Sequence, residues 1–395
     1  MSDAIALIAG WARSAVAPHG GAFRALQPHE IAAPVLRGLL QRAGVPAQAV
    51  DAVVIGNALG AGGNPARMLA LAAGLPQRCA AFSIDTQCCS GIDAVSMAVG
   101  LLASGQASVV IAGGVEAWSR SPIRQVRPMR AGEPAVAYER PAFSPDPARD
   151  PDLLEAAAAY AQQHGFSRAQ QDAYAVLSHQ RAMAHADALA AEIVPVNGLQ
   201  RDAYPRAVDG LRAARMPVAV KIAARDEVAR ALNHELRDCS VSTLAVSARA
   251  DGAALVLLAT PQACQALGIV PQAGWVTSAA LGCDSAIPLL AAEQAAVAAL
   301  SRAGLASVDS LRVIELHDAF AVQGLSFCQA LGLAPTRINR RGGGLARGHP
   351  IGASGAIAMV RLLSDLHADE APGARGLVAV AGAGGIGAAA ILERL

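Results

Sequence analysis

The chain has 395 residues, of which 53% are hydrophobic and only 16% are charged, and its formal net charge is +1. A chain of this length is expected to form two or three domains with a large buried core, and its low charge content argues against intrinsic disorder. The near-neutral balance also argues against a broad nucleic-acid-binding face, which needs concentrated basic residues.

Several motifs that the sequence lacks exclude further classes of binding site and of cellular location. Lys221 is the only lysine, so the chain has no phosphate-binding loop of the Gly-Lys-Ser/Thr type. None of the seven cysteines belongs to a CxxC pair, and we therefore predict no metal site. The chain has neither a signal-peptide pattern near Met1 nor an apolar run of about 18 residues, so we predict a cytoplasmic protein without membrane contact.

Short apolar strands alternate with helical patterns in the first third of the chain. In chain order the predicted elements are a strand over residues 4–8, a helix over 28–43, and strands over 52–55 and 108–112. The last strand is expected to end at Gly113 and Gly114. Strands separated by helices are typical of a parallel or mixed sheet covered by helices, so the predicted fold class is α/β.

The last third of the chain repeats this pattern. The segment LQRAGVPAQAVDAVVIGNA from Leu40 is similar to LSRAGLASVDSLRVIELHDA from Leu300, and SVVIAGG from Ser108 is similar to LVAVAGAGG from Leu377. Matches in the same order indicate a duplicated α/β unit. The predicted domains are an N-terminal half over 1–117, an inserted loop domain over 118–250 and a C-terminal half over 251–395, with 251–270 completing the first half.

The composition changes between the two similar parts. Residues 119–151 are rich in proline and arginine, and two helical patterns follow near 151–165 and 167–191. Ser167, with Gln170 three residues later, forms the capping-box pattern that starts a helix. An insertion of this size is expected to cover or shape a site.

A cysteine at the start of an apolar helix is the first candidate for chemistry. The motif DTQCCSG from Asp85 precedes IDAVSMAVGLLASG, which is apolar nearly all round and predicts a buried central helix. Unpaired N–H groups and the helix dipole at such a start favour a thiolate at Cys88. The alternative is an inert packing cysteine, which is the usual role of a buried thiol.

A histidine in the second unit is the matching candidate. Gly348-His349-Pro350 lies in a glycine-rich segment, and His349 occupies the place in its unit that Cys88 occupies in the first. Two units packed about a pseudo-twofold axis would bring the two helix starts together. That arrangement supplies a nucleophile with a base within reach.

These motifs resemble those of the thiolase family along the whole chain. QCCSG from Gln87 matches the family's nucleophile motif, and the glycine-rich segment around His349 matches its histidine motif. SRAQQDAYAVLSHQRA from Ser167 and EIVPV from Glu192 match its loop domain. The resemblance implies the thiolase fold, in which two αβα halves form five layers with an inserted loop domain.

The resemblance also implies an acyltransferase whose substrates are coenzyme A thioesters and which binds no cofactor. Cys88 would carry the acyl group, with His349 as its base. The backbone N–H groups of Cys88 and Ala383 would form an oxyanion hole, and Ser247 would meet the pantetheine arm of coenzyme A. Thiolases pair through an edge of the N-terminal half, so we expect a homodimer or a homotetramer.

The sequence departs from the family pattern at the second catalytic cysteine. That cysteine stands either just before the C-terminal glycine turn, where this chain has Ala381, or inside an HDCF motif, where this chain has Ala319. His317, the first residue of this HDAF motif, stands where many thiolases have asparagine. The set Cys88, His317 and His349 therefore resembles the Cys-His-His set of decarboxylating ketosynthases.

These departures leave four hypotheses open. His317 replaces the missing base and ordinary thiolase chemistry continues, or the enzyme condenses a malonyl-type donor, which needs no base at C2. Alternatively it stops after acylation and transfers or hydrolyses the acyl group, or it binds coenzyme A without turnover. Asp85 is a further difference, since asparagine is frequent at that position, and Cys89 is an unsuitable substitute thiol because adjacent side chains on a helix face apart.

Overall fold

The computed structural model describes residues 6–60, 62–221 and 238–395. These residues form one large mixed sheet, two small two-stranded sheets and helices that pack on both faces of the large sheet. The strands are β1 (Leu7–Arg13), β2 (Ala17–Pro18), β3 (Ala52–Gly56), β4 (Ala80–Ile84), β5 (Val109–Ala117), β6 (Arg124–Val126), β7 (Val136–Tyr138), β8 (Val218–Val220), β9 (Val241–Ser242), β10 (Ala250–Ala259), β11 (Ala273–Gly282), β12 (Val313–His317), β13 (Arg375–Gly382) and β14 (Ile386–Arg394). The described helices are α1 (Pro28–Ala43), α2 (Pro65–Ala72), α3 (Ser90–Ala103), α4 (Leu153–His164), α5 (Arg168–Ala184), α6 (Ala186–Ala191), α7 (Gly210–Ala214), α8 (Pro261–Leu267), α9 (Ala291–Arg302), α10 (Ala321–Ala330), α11 (Gly344–Arg347) and α12 (Ser354–Asp369).

The large sheet contains the same strand pattern twice. Its order is β12-β13-β14-β11-β1-β10-β5-β3-β4, with the short β2 beside β10. In the runs β3-β5-β10-β1 and β12-β13-β14-β11, one parallel contact is followed by two antiparallel contacts. The runs join where β1 pairs with β11. Segments that are similar in sequence occupy the same place in each run, as expected for a duplicated unit.

Two helices, α3 and α12, pack against each other and against strands of both runs. Gly91 permits this close approach, because a Cβ atom there would lie 2.5 Å from the backbone nitrogen of Ala356. Helix α12 is buried along most of its length. Helix α3 is not, since Met97 is 54% exposed, so the prediction that α3 is buried nearly all round is wrong.

Several predicted elements are confirmed, some with shifted ends. The helix predicted over 28–43 has the bounds of α1. The strand predicted over 4–8 begins later, as β1, and residues 1–5 lie outside the described part of the chain. The predicted capping box of Ser167 and Gln170 starts α5. The helix predicted over 167–191 is interrupted at His185, whose Nδ1 lies 3.0 Å from the carbonyl oxygen of Arg181 and so caps the last turn of α5.

The glycines of the first unit do not end the strand that contains them. Strand β5 continues through Gly113 and Gly114 to Ala117. A Cβ atom at Gly113 would lie 2.1 Å from the carbonyl oxygen of Ala254, and one at Gly114 would lie 2.0 Å from that of Gly352. These glycines therefore allow other backbone segments to approach a buried strand, which is why the prediction of a strand end was wrong.

The inserted residues place helices beside the candidate site. Helix α5 packs on α10 and α11, and Tyr174 of α5 shares a hydrophobic cluster with Leu316 and Phe327. The segments that contain His317 and His349 flank these helices. Among the described residues, we find no helix with the length and apolar character needed to span a membrane.

Candidate active site

The loop before α3 presents Cys88 from a strained backbone. Gln87 has a φ of 54°, in the left-handed region that non-glycine residues seldom adopt. Its backbone N–H donates to Asp85 Oδ1 over 2.8 Å, and its carbonyl oxygen accepts from Ser90 Oγ over 2.6 Å. Local strain of this kind costs about 1–3 kcal/mol and persists where surrounding contacts hold it. The thiol that follows is buried, with 8% exposure.

His349 lies directly against that thiol. The distance between Cys88 Sγ and His349 Nε2 is 3.1 Å. The backbone of His349 is held by its N–H, which donates to the carbonyl oxygen of Ala248 over 2.7 Å. Its Nδ1 lies 3.0 Å from Ser354 Oγ, whose own hydroxyl donates to the carbonyl oxygen of Pro350. A proton on Nδ1 therefore has an acceptor, and Nε2 remains free to accept the thiol proton.

The two helix starts are close, but the residues are not equivalent in register. Helix α3 begins two residues after Cys88 at Ser90, whereas α12 begins five residues after His349 at Ser354. The Ser-Gly pair that opens each helix sets this alignment. The expectation that His349 occupies the place of Cys88 in its unit is therefore wrong by three residues. The longer segment between His349 and α12 is what brings the imidazole into contact with the thiol.

His317 extends the pair into a chain of three groups. It is the last residue of β12, and its Nε2 contacts His349 Nδ1. The two rings stack with centroids 4.4 Å apart and an angle of 22° between their planes. Cys88, His349 and His317 thus follow one another in contact. An imidazole beside Nδ1 orients the His349 ring and stabilises the charge that forms when Nε2 takes a proton.

Burial keeps all three groups uncharged. Desolvation raises the pKa of Cys88 to about 12, although the backbone N–H groups of Ala383 and Cys88 partly oppose it. Desolvation lowers the pKa of His349 to about 4, and burial together with His349 and Arg347 lowers that of His317 well below its usual value. The expectation of a preformed thiolate is therefore wrong, because desolvation outweighs the effect of the helix start.

The predicted oxyanion donors face the sulfur. The backbone N–H groups of Ala383 and Cys88 both lower the pKa of the Cys88 thiol, so both lie near Sγ. Ala383 lies in the turn between β13 and β14, where Gly384 and Gly385 have φ values of 80° and 76°. A Cβ atom at Gly385 would lie 2.7 Å from the carbonyl oxygen of Asp284, so the turn that aims the Ala383 N–H requires glycine.

The structure places the remaining predicted residues around this centre. Ala381 is near the end of β13, just before the glycine turn. Ala319 lies beside Ser247, whose backbone N–H donates to the Ala319 carbonyl oxygen over 2.8 Å. The Ser247 hydroxyl donates to the carbonyl oxygen of Gly344 over 2.7 Å. Its proton is thus used within the protein, and only its oxygen lone pairs remain for a ligand.

The sequence motifs predict no role for two buried carboxylates at the site, although one of them, Asp318, belongs to the HDAF motif. Asp318 accepts hydrogen bonds from Tyr174 Oη at 2.8 Å and Asn339 Nδ2 at 3.2 Å, and burial raises its pKa to about 6. The second carboxylate is Glu116 of β5. Each contact joins residues far apart in the chain, so no local pattern could have indicated it. Among the described residues no group of histidine, cysteine, aspartate or glutamate side chains could hold a metal ion.

Comparisons of the sequence match nearly the whole chain to one family. The model described as "Thiolase, N-terminal domain" matches residues 6–262, and "Thiolase, C-terminal domain" matches residues 269–394. The acetyl-CoA acetyltransferase of Allochromatium vinosum is 35% identical over 393 residues, which is 97% of each chain. The putative acetyl-CoA C-acetyltransferase YhfS of Bacillus subtilis is 35% identical over 396 residues, which is 99% of each chain.

Solved structures match the fold over the same length. The acetyl-CoA acetyltransferase of Bacillus anthracis has a TM-score of 0.86 and 28% identity, with 100% of both chains covered. The Acat5 thiolase of Ascaris suum in complex with coenzyme A has a TM-score of 0.85 and 26% identity, with 99% of this chain and 100% of that chain covered.

Proposed function

The chain belongs to the thiolase family, and on this basis we propose that it transfers acyl groups through a thioester on Cys88. The predicted α/β thiolase fold is confirmed, and the activity is that of a thiolase-type acyltransferase. Its substrates are coenzyme A thioesters, and the chemistry requires no additional cofactor. The 3.1 Å contact between Cys88 Sγ and His349 Nε2 carries the proposal for the site.

The first half-reaction acylates Cys88. His349 Nε2 removes the thiol proton as Sγ attacks the thioester carbonyl, so the charged pair forms only during the reaction. The oxyanion is stabilised by the N–H groups of Cys88 and Ala383, and the loss of one such donor typically costs about 3–4 kcal/mol. When the tetrahedral intermediate collapses, coenzyme A leaves and takes the proton from His349.

The second half-reaction forms the carbon–carbon bond. Ala381 and Ala319 cannot carry a proton, and His317 Nε2 is occupied by His349 Nδ1. His349 is neutral again after the first half-reaction, and its Nε2 faces the acylated sulfur. We therefore assign to His349 the removal of the C2 proton from the second thioester. The resulting carbanion attacks the acyl carbon on Cys88, the bond between that carbon and Sγ breaks, and His349 returns the proton to Sγ. His317 holds Nδ1 throughout, in place of the base role that the sequence suggested.

Condensation with a carboxylated, malonyl-type donor is the second candidate function, because alanine stands at both positions where the family has its second catalytic cysteine. Its carbanion forms by loss of carbon dioxide, so no base is required. The charges near the thiol oppose this candidate: the carboxylates of Glu116 and Asp85 both raise the pKa of Cys88, and the same field repels an anionic donor. Neutral acyl groups therefore fit the electrostatics of the site better.

Intact-mass spectrometry tests the acylation. After mixing with acetyl-CoA, we expect one acetyl group on the wild-type chain and on Cys89→Ala, and none on Cys88→Ala. Acetylation of Cys88→Ala would overturn the assignment. Analysis of the products from acetyl-CoA, with and without malonyl-CoA, then distinguishes the two donors, and free acetate as the sole product would indicate hydrolysis.

The edge formed by β4 supports a homodimer or a dimer of dimers. This strand ends the large sheet, and Phe82 on it is 45% exposed. Met68 and Leu71 of the adjacent α2 and Met97 of α3 are also exposed, by 44%, 49% and 54%. Edge strands with apolar surface favour association, and a second copy of the chain would cover the β4 edge. We place the enzyme in the cytoplasm, where the free thiols of Cys79, Cys88, Cys89, Cys264, Cys283 and Cys328 would stay reduced.

A further inference from the structure

Within the described part of the chain, the buried carboxylate of Glu116 accepts hydrogen bonds from N–H groups only. Its side chain has 0% exposure and forms no ion pair within the described part of the chain. Oε1 accepts from Asn57 Nδ2 over 2.8 Å, and Oε2 accepts from the backbone N–H groups of Ala58 and Gly352 over 2.9 and 3.0 Å. Leu59 N–H contributes a longer contact of 3.4 Å. Burying an unpaired carboxylate is costly, so these bonds indicate a specific role.

The partners of Glu116 lie on both sides of the nucleophile–base pair. Ala58 follows strand β3, whose last residue, Gly56, contacts the start of α3: a Cβ atom there would lie 2.6 Å from Ser90. Gly352 lies three residues after His349, and a Cβ atom at Gly352 would lie 2.7 Å from Asn57 Cα. The start of α3, the segment after β3 and the loop from His349 to Gly352 thus pack closely through backbone atoms. The last two of these segments hydrogen-bond the Glu116 carboxylate.

We propose that Glu116 is a positioning residue that fixes the Cys88–His349 geometry by tying the Gly352 N–H to the segment after β3. The inference rests on the proposed function, since it concerns the reactivity of Cys88. A hydrogen bond of 3.1 Å between nucleophile and base leaves little tolerance, and a misplacement of about 1 Å can cost about 10²-fold in rate.

The charge of Glu116 alone would have the opposite effect. Glu116 raises the pKa of Cys88, so removing its negative charge favours the thiolate. Burial raises the pKa of Glu116 itself to about 7, against the effect of the backbone N–H groups of Ala58, Gly352 and Leu59. In Glu116→Gln, the amide NH₂ must face either those backbone donors or the Asn57 amide. Electrostatics therefore predicts faster reaction in this variant, and positioning predicts slower reaction.

Two matched controls separate the effects. Asp51 Oδ2 accepts the backbone N–H groups of Ser108 and Val109 at the opposite end of the same strands, over 2.9 and 3.1 Å. Asp51→Asn therefore perturbs a similar carboxylate–backbone contact away from the site. Asp85→Asn removes a negative charge near Cys88 but retains an oxygen that accepts the Gln87 N–H.

The test is the single-turnover rate of Cys88 acetylation by acetyl-CoA, followed by intact mass, with the melting temperature of each variant. We expect Glu116→Gln to be acetylated about 30-fold to 100-fold more slowly and Asp51→Asn within about 2-fold of the wild type, even if both lose similar stability. An unchanged or faster rate in Glu116→Gln would overturn the inference. If Glu116→Gln does not fold, Asn57→Ala, which removes the bond to Oε1 together with the Asn57 side-chain bonds to Val115 and Gly60, should slow acetylation about 3-fold to 10-fold, and an unchanged rate would again overturn it.

Alkylation by iodoacetamide distinguishes this inference from the proposed function. If wild-type Cys88 gains no acetyl group, the proposed function fails. The alkylation rate of Cys88 at pH 7 still depends on His349, and a positioning role predicts a slower rate in Glu116→Gln and a faster one in Asp85→Asn. Equal acceleration of alkylation in both variants would show that Glu116 acts on Cys88 through its charge alone, and it would contradict the positioning role.

Discussion

Cys88 and His349 meet as a neutral pair, with 3.1 Å between Sγ and Nε2, although burial separates their pKa values to about 12 and about 4. Neither group is charged near neutral pH, so Cys88 is a neutral thiol before the substrate binds. The base and the nucleophile are instead within hydrogen-bond distance, and proton transfer accompanies attack. Reactivity therefore depends on geometry more than on a preformed charge.

The neutral pair has a consequence for the pH dependence of acylation. Because burial lowers the pKa of His349 to about 4, its Nε2 remains a proton acceptor well below pH 6.5 and becomes protonated only near pH 4. We expect the acid limb of kcat/KM for acetyl-CoA in Glu116→Gln, which lacks the carboxyl group whose pKa is about 7, to lie near pH 4 to 5, provided that stopped-flow measurements are completed before the protein unfolds. A limb at about 6.5, the ordinary imidazole value, would contradict the buried-base interpretation.

His317→Asn should reduce both half-reactions. The His317 imidazole contacts His349 Nδ1, and the shorter amide loses that contact and the charge stabilisation that it provides. We expect acetylation of Cys88 and overall turnover to fall by about 10-fold or more, measured by intact mass and by product formation. Ala381→Cys in the same background should recover part of the turnover but not the acetylation rate. Unchanged turnover in His317→Asn alone would remove His317 from the mechanism.

Asp85→Asn should make Cys88 more reactive. The Asp85 carboxylate raises the pKa of Cys88, while its Oδ1 fixes the strained Gln87 backbone. Asparagine keeps an acceptor for the Gln87 N–H and removes the charge, so the thiol pKa falls. The measurement is the iodoacetamide rate of Cys88 as a function of pH, read by peptide mass. Asp85→Ala serves as the comparison, because it also releases Gln87; a slower rate in Asp85→Asn would show that the amide does not preserve the loop.

His179 should make the fold less stable in mild acid. Its ring is fully buried, neither ring nitrogen has a hydrogen-bond partner among the described residues, and burial with a contribution from Arg206 lowers its pKa to about 4. Between the unfolded value of about 6.5 and pH 4, the unfolded chain binds a proton that the folded chain does not, so stability falls as the pH falls. The loss from this residue is about 2 kcal/mol at pH 5.

Urea unfolding at pH 7 and pH 5 tests this assignment. His179→Leu should show a smaller loss between the two pH values than the wild type. Replacement of His185 by leucine serves as the control, because that residue lies at the exposed end of α5. An equal loss in the wild type and His179→Leu would assign the acid sensitivity to other groups, such as His317 and His349.

Phe82→Arg should separate the copies of the chain. A charged side chain on an edge strand opposes strand pairing between subunits, and Phe82 lies in the middle of β4. We expect the wild type to scatter light as a dimer or a larger assembly, and Phe82→Arg to approach the monomer mass of 40.0 kDa. Val270→Arg, which alters another exposed apolar residue, should leave the mass unchanged. A wild-type monomer at micromolar concentration would contradict the proposed interface.

The sequence by itself determined the local elements and the candidate residues. The periodicity over 28–43 and the Ser167 capping box depend on neighbours within a few positions, so their structure follows from local chemistry. The internal repeat indicated two α/β units, and the motifs around Cys88 and His349 predicted a nucleophile and its base. These features are contiguous in the chain, and contiguous patterns are readable without a fold.

Only the tertiary structure decided the charge state and the partners of these residues. Cys88 and His349 are 261 positions apart, and Glu116 and Gly352 are 236 apart, so each contact exists only when the two halves pack together. The thiol and the imidazole are uncharged because the packed halves exclude water from both, an effect that sums over many distant residues and that no helix-start motif contains. For the same reason, Gly113 and Gly114 mark the approach of another backbone rather than the end of a strand.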